Sequence, residues 1–213
     1  MARSKSSQRW LQEHHADEFV KLARLKNYRS RAVFKLQEID DRDHLLKPGL
    51  SVLDLGAAPG GWSQYAQQKV GASGKIIALD VLPIDPIAGV DIIQGDFRED
   101  SVLEAVLSQL AGCKVDVILS DMAPNQSGQY EIDQPKSMYL AELALEMAHH
   151  SLANGGAFLV KVFQGAGFDQ FYTEVKQVFL RVVIRKPKAS RARSREVFLL
   201  AKGFNPAQES PLC

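Results

Sequence analysis

The feature that most constrains this chain is a glycine-rich turn placed directly after a short apolar run: SVLDL at residues 51–55, then GAAPGG at 56–61. An apolar pentapeptide broken by glycines predicts a buried strand that passes into a helix through a tight loop, the nucleotide-binding position of an open α/β sheet. The chain keeps this rhythm. Apolar runs at 75–79, 90–93, 115–119 and 157–160 predict four more strands, and two late strands are expected near 179–184 and 196–201. Helices are predicted over 62–69, 99–110, 135–152 and 168–178, with a loop rich in Pro, Asn, Ser and Gly over 123–134. Ahead of the turn, helices are expected over 13–26 and 31–45, the second closed by Pro48 and Gly49. In the first of these, Phe19, Leu22 and Ala23 form the apolar stripe, widened by Val20 and Leu25. Strands that read as continuous apolar runs between helices predict a Rossmann-like, seven-stranded, mostly parallel sheet with helices on both faces.

The loop alone does not choose a ligand. A dinucleotide fingerprint needs a middle glycine so that backbone can approach a pyrophosphate, and here that position is Ala58. Asp54 stands two residues before Gly56, where a carboxylate repels a pyrophosphate and suits the cationic amino group of a methionine moiety. No Lys-Ser or Lys-Thr follows the glycines, so the loop is not a P-loop. Asp80 ends the second strand, where a carboxylate accepts ribose hydroxyls, and Asp96, beside Phe97, follows the third and can accept from an adenine amino group. The set points to S-adenosylmethionine, with Asp54, Gly56, Ala57, Pro59, Gly60, Trp62, Asp80, Asp96, Phe97 and Asp121 as candidate cofactor residues. The bland reading of Asp80 and Asp96 is that acids commonly cap strand ends.

Charge narrows the partner. The net charge of +1 hides nine Lys/Arg against three Asp/Glu in residues 1–35, and seven Lys/Arg with no acid in residues 181–195, around an acidic middle. Two basic segments brought together suit a polyanion, whereas kept apart they are ordinary solvated ends. Arg29, Arg31, Arg191 and Arg193 are the candidate phosphate contacts. With two cysteines, no secretory leader and no apolar run of membrane-spanning length, a reducing cytoplasmic setting without membrane contact is expected. Five histidines without ligand spacing lead to no expected metal site.

The remaining chemistry stands at strand ends. Asp121 closes the fourth strand and Lys161 the fifth, so both should project into one crevice. Lys35 comes from a helix before the first strand and Glu196 opens the last. Charged side chains set among apolar ones need partners, so two structural salt bridges are the simple alternative to a reactive group. At this point the sequence resembles, over nearly its whole length, the RlmE/FtsJ family of bacterial 23S ribosomal RNA uridine 2′-O-methyltransferases. The resemblance runs from SQRWLQEH at 7–14 through RSRAVFKL at 29–36, DLGAAPGGWSQ at 54–64, SDMAPN at 120–125 and VKVFQG at 160–165 to RKPKASRARSRE at 185–196. It implies a Lys-Asp-Lys-Glu catalytic tetrad at Lys35, Asp121, Lys161 and Glu196. It also implies methyl transfer from S-adenosylmethionine, leaving S-adenosylhomocysteine, to a uridine ribose in 23S rRNA of the large (50S) subunit.

The expected organisation is a basic arm over 1–30, a methyltransferase domain over 31–203 and a flexible tail over 204–213, acting as a monomer. Three other readings stay open on the residues: 2′-O-methylation of a transfer RNA, a non-catalytic RNA-binding or assembly protein on the same fold, and a nicotinamide dehydrogenase, the last opposed by Ala58 and Asp54.

Overall fold

The computed structural model describes residues 17–125, 127–191 and 193–206. The basic arm ahead of Asp17, the start of the helix expected from residue 13 and the tail beyond Pro206 lie outside the described residues.

Seven strands form one sheet in the order β3-β2-β1-β4-β5-β7-β6. They are β1 (Ser51–Leu55), β2 (Lys75–Asp80), β3 (Val90–Gln94), β4 (Val115–Ser120), β5 (Leu152–Phe163), β6 (Phe179–Arg185) and β7 (Glu196–Phe204). Strands β1 to β5 pair in parallel, which puts Leu55, Asp80, Ser120 and Lys161 toward one edge. Strand β7 enters antiparallel between β5 and β6. Its first residue therefore arrives at the same edge: Glu196 pairs with Phe163, and Phe198 with Lys161.

Among the described residues six helices flank the sheet: α1 (Glu18–Leu25), α2 (Val33–Asp43), α3 (Gly61–Val70), α4 (Asp100–Leu110), α5 (Tyr130–Ser151) and α6 (Phe168–Val178). Alternate strand residues feed two separate cores, as a sheet buried on both faces requires. Leu53, Ile77, Ile118 and Phe158 pack with α4, α5 and α6, while Val52, Ile76, Val117 and Leu159 pack with α2 and α3. This is the expected Rossmann-like arrangement, with helices on both faces of a mixed, mostly parallel sheet.

Three boundaries differ from the sequence reading. Helix α5 begins at Tyr130, inside the expected loop, and carries Pro135 in its second turn. Proline there lacks the N–H that would donate to the Glu131 carbonyl, so the helix loses one hydrogen bond. Asp133 braces that start, accepting from the backbone N–H groups of Ser127 (2.8 Å) and Gly128 (2.9 Å). Strand β5 runs through the Asn154-Gly155-Gly156 stretch expected to end a helix, and the β4–β5 register shifts there in the manner of a bulge. Leu25, expected to widen the apolar stripe of α1, is 80% exposed; Val20 and Ala23 are the residues that α1 buries. Strand β7 also carries the folded domain one residue further than expected, burying Phe204.

Candidate active site: a row of four charges between two cavities

The carboxyl edge of β1 turns through Gly56 and Gly60, both at positive φ (73° and 100°). A side chain at Gly56 would also collide with Met122, whose Cγ lies 2.5 Å from where a Cβ would sit. Glycine at 56 thus lets the SDMAPN loop close against the turn. The turn is tied to β2 by the N–H groups of Gly56 and Ala57, which donate to the Leu79 carbonyl. The Asp80 carboxylate accepts from the N–H of Ala58 and the N–H of Leu82, at 2.8 Å each.

Beside this turn lies a cavity of about 610 Å³, walled by Gly56, Asp80, Asp96, Phe97, Asp121 and Met122 among others. Its size suits a nucleoside-sized ligand. Three carboxylates in its wall, Asp80, Asp96 and Asp121, suit hydroxyls and a cationic tail, and Leu79, Phe97 and Met122 offer apolar contact to a flat ring. The chemistry of this lining fits S-adenosylmethionine. Helix α5 adds Lys136 and Tyr139 to the wall, two residues of the expected helix whose sequence carries no sign of that contact.

The candidate cofactor residues divide. Gly56, Asp80, Asp96, Phe97 and Asp121 line the cavity. Both oxygens of Asp96 are already engaged by Arg98, whose Nε reaches each at 2.9 Å, and that pairing holds Asp96 below the usual carboxylate range. Ala57, Pro59 and Gly60 shape the loop rather than the wall; Ala57 is buried and Pro59 exposed. Trp62 belongs to the core: its indole N–H donates to the Ala32 carbonyl (2.8 Å) and its ring lies 5.7 Å from that of Phe198. Asp54 is buried beneath the edge, 1% exposed, and accepts a 2.6 Å hydrogen bond from the Ser63 hydroxyl. Burial pushes its carboxyl up to about 7, with Asp121 and Asp80 adding to the rise and Ser63 opposing it. Ser63, the partner that keeps this acid tolerable, went unnoticed in the sequence because a serine in a helix carries no distinctive signal.

Lys35, Asp121, Lys161 and Glu196 meet as a row of alternating charge. Lys161 Nζ lies 2.9 Å from Asp121 Oδ1 and also donates to the Asp121 carbonyl. Lys35 Nζ lies 3.4 Å from the same Oδ1 and 2.9 Å from Glu196 Oε1. Burial opposes the charge on Lys35, but Asp121 and Glu196 outweigh it and hold its pKa above the ordinary lysine value. Burial likewise works against Asp121, yet Lys161 and Lys35 keep it below the usual carboxylate range. The Phe198 ring lies 5.5 Å from the Lys35 ammonium. At the far end of the row the Ser190 hydroxyl donates to Glu196 Oε1 at 2.7 Å.

Ser190 also lines a second, open cavity of about 460 Å³, together with Asp17, Glu18, Phe19, Arg31, Lys188 and Arg191. The two basic segments of the sequence meet here. The row therefore connects two cavities: Asp121 stands on the wall of the first and Ser190 on the wall of the second.

The four expected phosphate contacts separate as well. Arg29 is spent on the fold: its guanidinium donates to the carbonyls of Asp85 and Pro86 (2.7 Å each) and of Pro59 (3.3 Å). Arg31 pairs with Asp17 and donates to the Ala189 carbonyl, so it ties the first basic segment to the last. Arg191 and Arg193 are exposed. Among the described residues no three His, Cys, Asp or Glu side chains group as metal ligands.

The model of the FtsJ-like methyltransferase family matches residues 28–204. The chain belongs to this family. It is accordingly an enzyme of the S-adenosylmethionine-dependent methyltransferase class. A crystal structure from Plasmodium falciparum, named as a ribosomal RNA methyltransferase, is 33% identical, with a TM-score of 0.73, covering 83% of this chain and 98% of that one. A structure from Clostridium thermocellum named as an rRNA-methylase is 18% identical with a TM-score of 0.53, covering 79% of this chain and 96% of the other. At that identity it attests the fold alone. FtsJ-like membership is consistent with the geometry just described, since the matched span contains all four charges of the row.

Proposed function

We propose that this FtsJ-like enzyme transfers a methyl group from S-adenosylmethionine to the ribose 2′-oxygen of a uridine in 23S rRNA of the large ribosomal subunit, acting as a cytoplasmic monomer. The observation that carries the reading is the row of four charges running from a carboxylate-lined cavity to a second one that holds Arg31, Lys188 and Arg191 beside Asp17 and Glu18. The rRNA name of the Plasmodium relative and the resemblance of the motifs support the choice of RNA.

When bound, the cofactor supplies an electrophilic methyl group on a sulfonium. The chain must then make a ribose hydroxyl, a poor nucleophile, attack in line. Lys161 has three N–H donors, and Asp121 takes two of them, through Oδ1 and its carbonyl. The third is left to meet the 2′-oxygen and stabilise charge developing on it, while the hydroxyl proton passes to water as the methyl is transferred. Asp121 fixes the orientation of Lys161 from the wall of the first cavity. Glu196, locked to Lys35, holds the ribose from the other side. Lys188, Arg191 and Arg193 receive phosphates, which position the strand without reading its sequence.

The test is transfer of a labelled methyl group to intact large subunits, free 23S rRNA and transfer RNA, with the label mapped in the product. Label on a uridine 2′-oxygen of 23S rRNA is expected. Label on a base, or on transfer RNA alone, overturns the reading.

A further inference from the structure

The row of charges ends on a neutral hydroxyl with an unusually well-held position. Ser190 is 5% exposed, and its Oγ meets Glu196 Oε1 at 2.7 Å, the oxygen that Lys35 also reaches at 2.9 Å. The chain around it is anchored at every step. The Lys188 N–H donates to Glu38 Oε2 (2.8 Å), the fully buried Ala189 offers its carbonyl to Arg31, and the Ser190 N–H donates to the Pro187 carbonyl (2.9 Å). Lys186 closes the segment from the other side, donating to the carbonyls of Ser194 (2.7 Å) and Glu196. A stretch that looks in the sequence like a basic tether is instead a folded loop that brings one hydroxyl back onto a carboxylate six residues later.

We infer that Ser190 is a positioning residue that sets the orientation of Glu196 for ribose binding; the inference rests on the proposed RNA ribose methylation. Glu196 has two oxygens, and the protein loads both of its polar contacts, from Ser190 and from Lys35, onto Oε1. Oε2 takes neither and is kept for a substrate hydroxyl. Without the serine, Oε1 is held by Lys35 alone, whose ammonium also serves Asp121. The carboxylate can then rotate and offer both oxygens to Lys35, withdrawing Oε2 from the ribose. The wall of the second cavity and the charge row meet at this one residue.

The experiment measures methyl transfer to large subunits, with kcat and RNA KM separated, for wild type, Ser190→Ala, Ser190→Thr, Glu196→Ala and the double variant Ser190→Ala/Glu196→Ala. A hydrogen bond to a charged group supports about a tenfold loss of kcat in Ser190→Ala, with cofactor affinity and melting temperature unchanged. Ser190→Thr, which keeps the hydroxyl, is expected to return most of that loss, and Ser190→Ala is expected to cost nothing further once Glu196 is alanine. If the alanine variant melts early, Ser190→Cys keeps the volume with a weak donor and carries the same expectation. Ser190→Ala within about twofold of wild type, a full additional loss on the Glu196→Ala background, or no rescue by threonine overturns the inference. Wild-type enzyme that methylates ribose while Ser190→Ala is indifferent removes this inference alone; wild-type enzyme that methylates no RNA removes the proposed function with it.

Discussion

Replacing Asp54 by asparagine isolates the energetic consequence of burying a carboxyl group under the carboxyl edge of the sheet. Its folded-state pKa stands at about 7 against an ordinary 3.8, driven first by burial. A carboxyl raised on folding stabilises the native state where both states are protonated, and loses that advantage as pH climbs. Between about pH 4 and pH 7 the unfolded chain ionises while the folded one must keep its proton, so stability falls; above about pH 7 both are ionised and the penalty levels off. A rise of about 3 units gives a full penalty of about 4 kcal/mol, of which less than half is already present at pH 5. Wild type should therefore lose about 2–3 kcal/mol between pH 5 and pH 8 that Asp54→Asn does not lose. Asparagine can still accept from Ser63, but it buries amide hydrogens that lack an acceptor, at a pH-independent cost of about 1–3 kcal/mol. The slope, and not the offset, carries the test. Urea denaturation of both proteins at pH 5, 6, 7 and 8 measures it. Stability curves that stay parallel to within about 0.5 kcal/mol across that range refute the reasoning.

The same acid makes a binding prediction: a cationic cofactor tail near Asp54 favours its ionised form, so S-adenosylmethionine binding at pH 6 should release protons, read as a dependence of calorimetric enthalpy on the buffer's ionisation heat. Asp40 is 3% exposed and accepts both the Leu46 N–H (2.8 Å) and the Tyr65 hydroxyl (2.9 Å). Asp40→Ala strands two buried donors and should cost about 2–4 kcal/mol in urea unfolding while leaving cofactor affinity intact. Arg31→Ala should loosen the 186–195 loop, seen as faster amide exchange there, because it cuts the ties to Asp17 and Ala189; Arg191→Ala should leave exchange unchanged and instead weaken RNA binding with a shallower salt dependence. Lys161→Ala should lower kcat by about 10²–10³, whereas Lys161→Arg, which keeps the charge and cannot act as a neutral base, should retain at least about tenfold more activity than alanine; equal losses point instead to proton abstraction by Lys161.

How far the sequence could be read depended on whether a feature was local. The strands from β1 to β5 were legible because each contains a short apolar run, and the charged residues that follow those runs in β4 and β5 put Asp121 and Lys161 at one edge. Nothing local placed Lys35 or Glu196 there. Glu196 reaches the edge only because β7 inserts antiparallel against β5, a pairing invisible in the spacing of residues. The family resemblance supplied what periodicity could not. Charge carried no geometry of its own: Arg29 and Arg31 read as phosphate contacts because they sit in a basic run, and folding brings Arg29 to the carbonyls at 59, 85 and 86 and Arg31 to the Asp17 carboxylate and the Ala189 carbonyl. Trp62 is adjacent in sequence to the cofactor loop, and α3 turns it into the core beside Phe198. The start of α5 was misplaced because Pro135 and the polar run before it imitate a loop.

The alternation of the charge row explains how four ionisable groups share a largely buried site, and it divides their work. Burying one charge is costly unless an opposite charge compensates it, and here two cations and two anions cancel. Each interior member touches opposite charge on two sides: Asp121 lies between Lys161 and Lys35, and Lys35 between Asp121 and Glu196. Both are braced within the row, although Asp121 Oδ2 and one N–H of Lys35 take no part in it. The terminal members meet opposite charge on one side only. Lys161 retains a third N–H, and Glu196 retains an oxygen that neither Lys35 nor Ser190 uses. One end thus offers a donor and the other an acceptor, which is the pair that a ribose needs if one hydroxyl oxygen is to be stabilised as it loses its proton while a second hydroxyl is held. Ser190 ends the row without adding charge, so the balance is kept while the acceptor is oriented. By this argument the interior pair sets the geometry and the outer pair meets the substrate, and loss of Asp121 should disturb both ends at once, whereas loss of Glu196 should leave Lys161 in place.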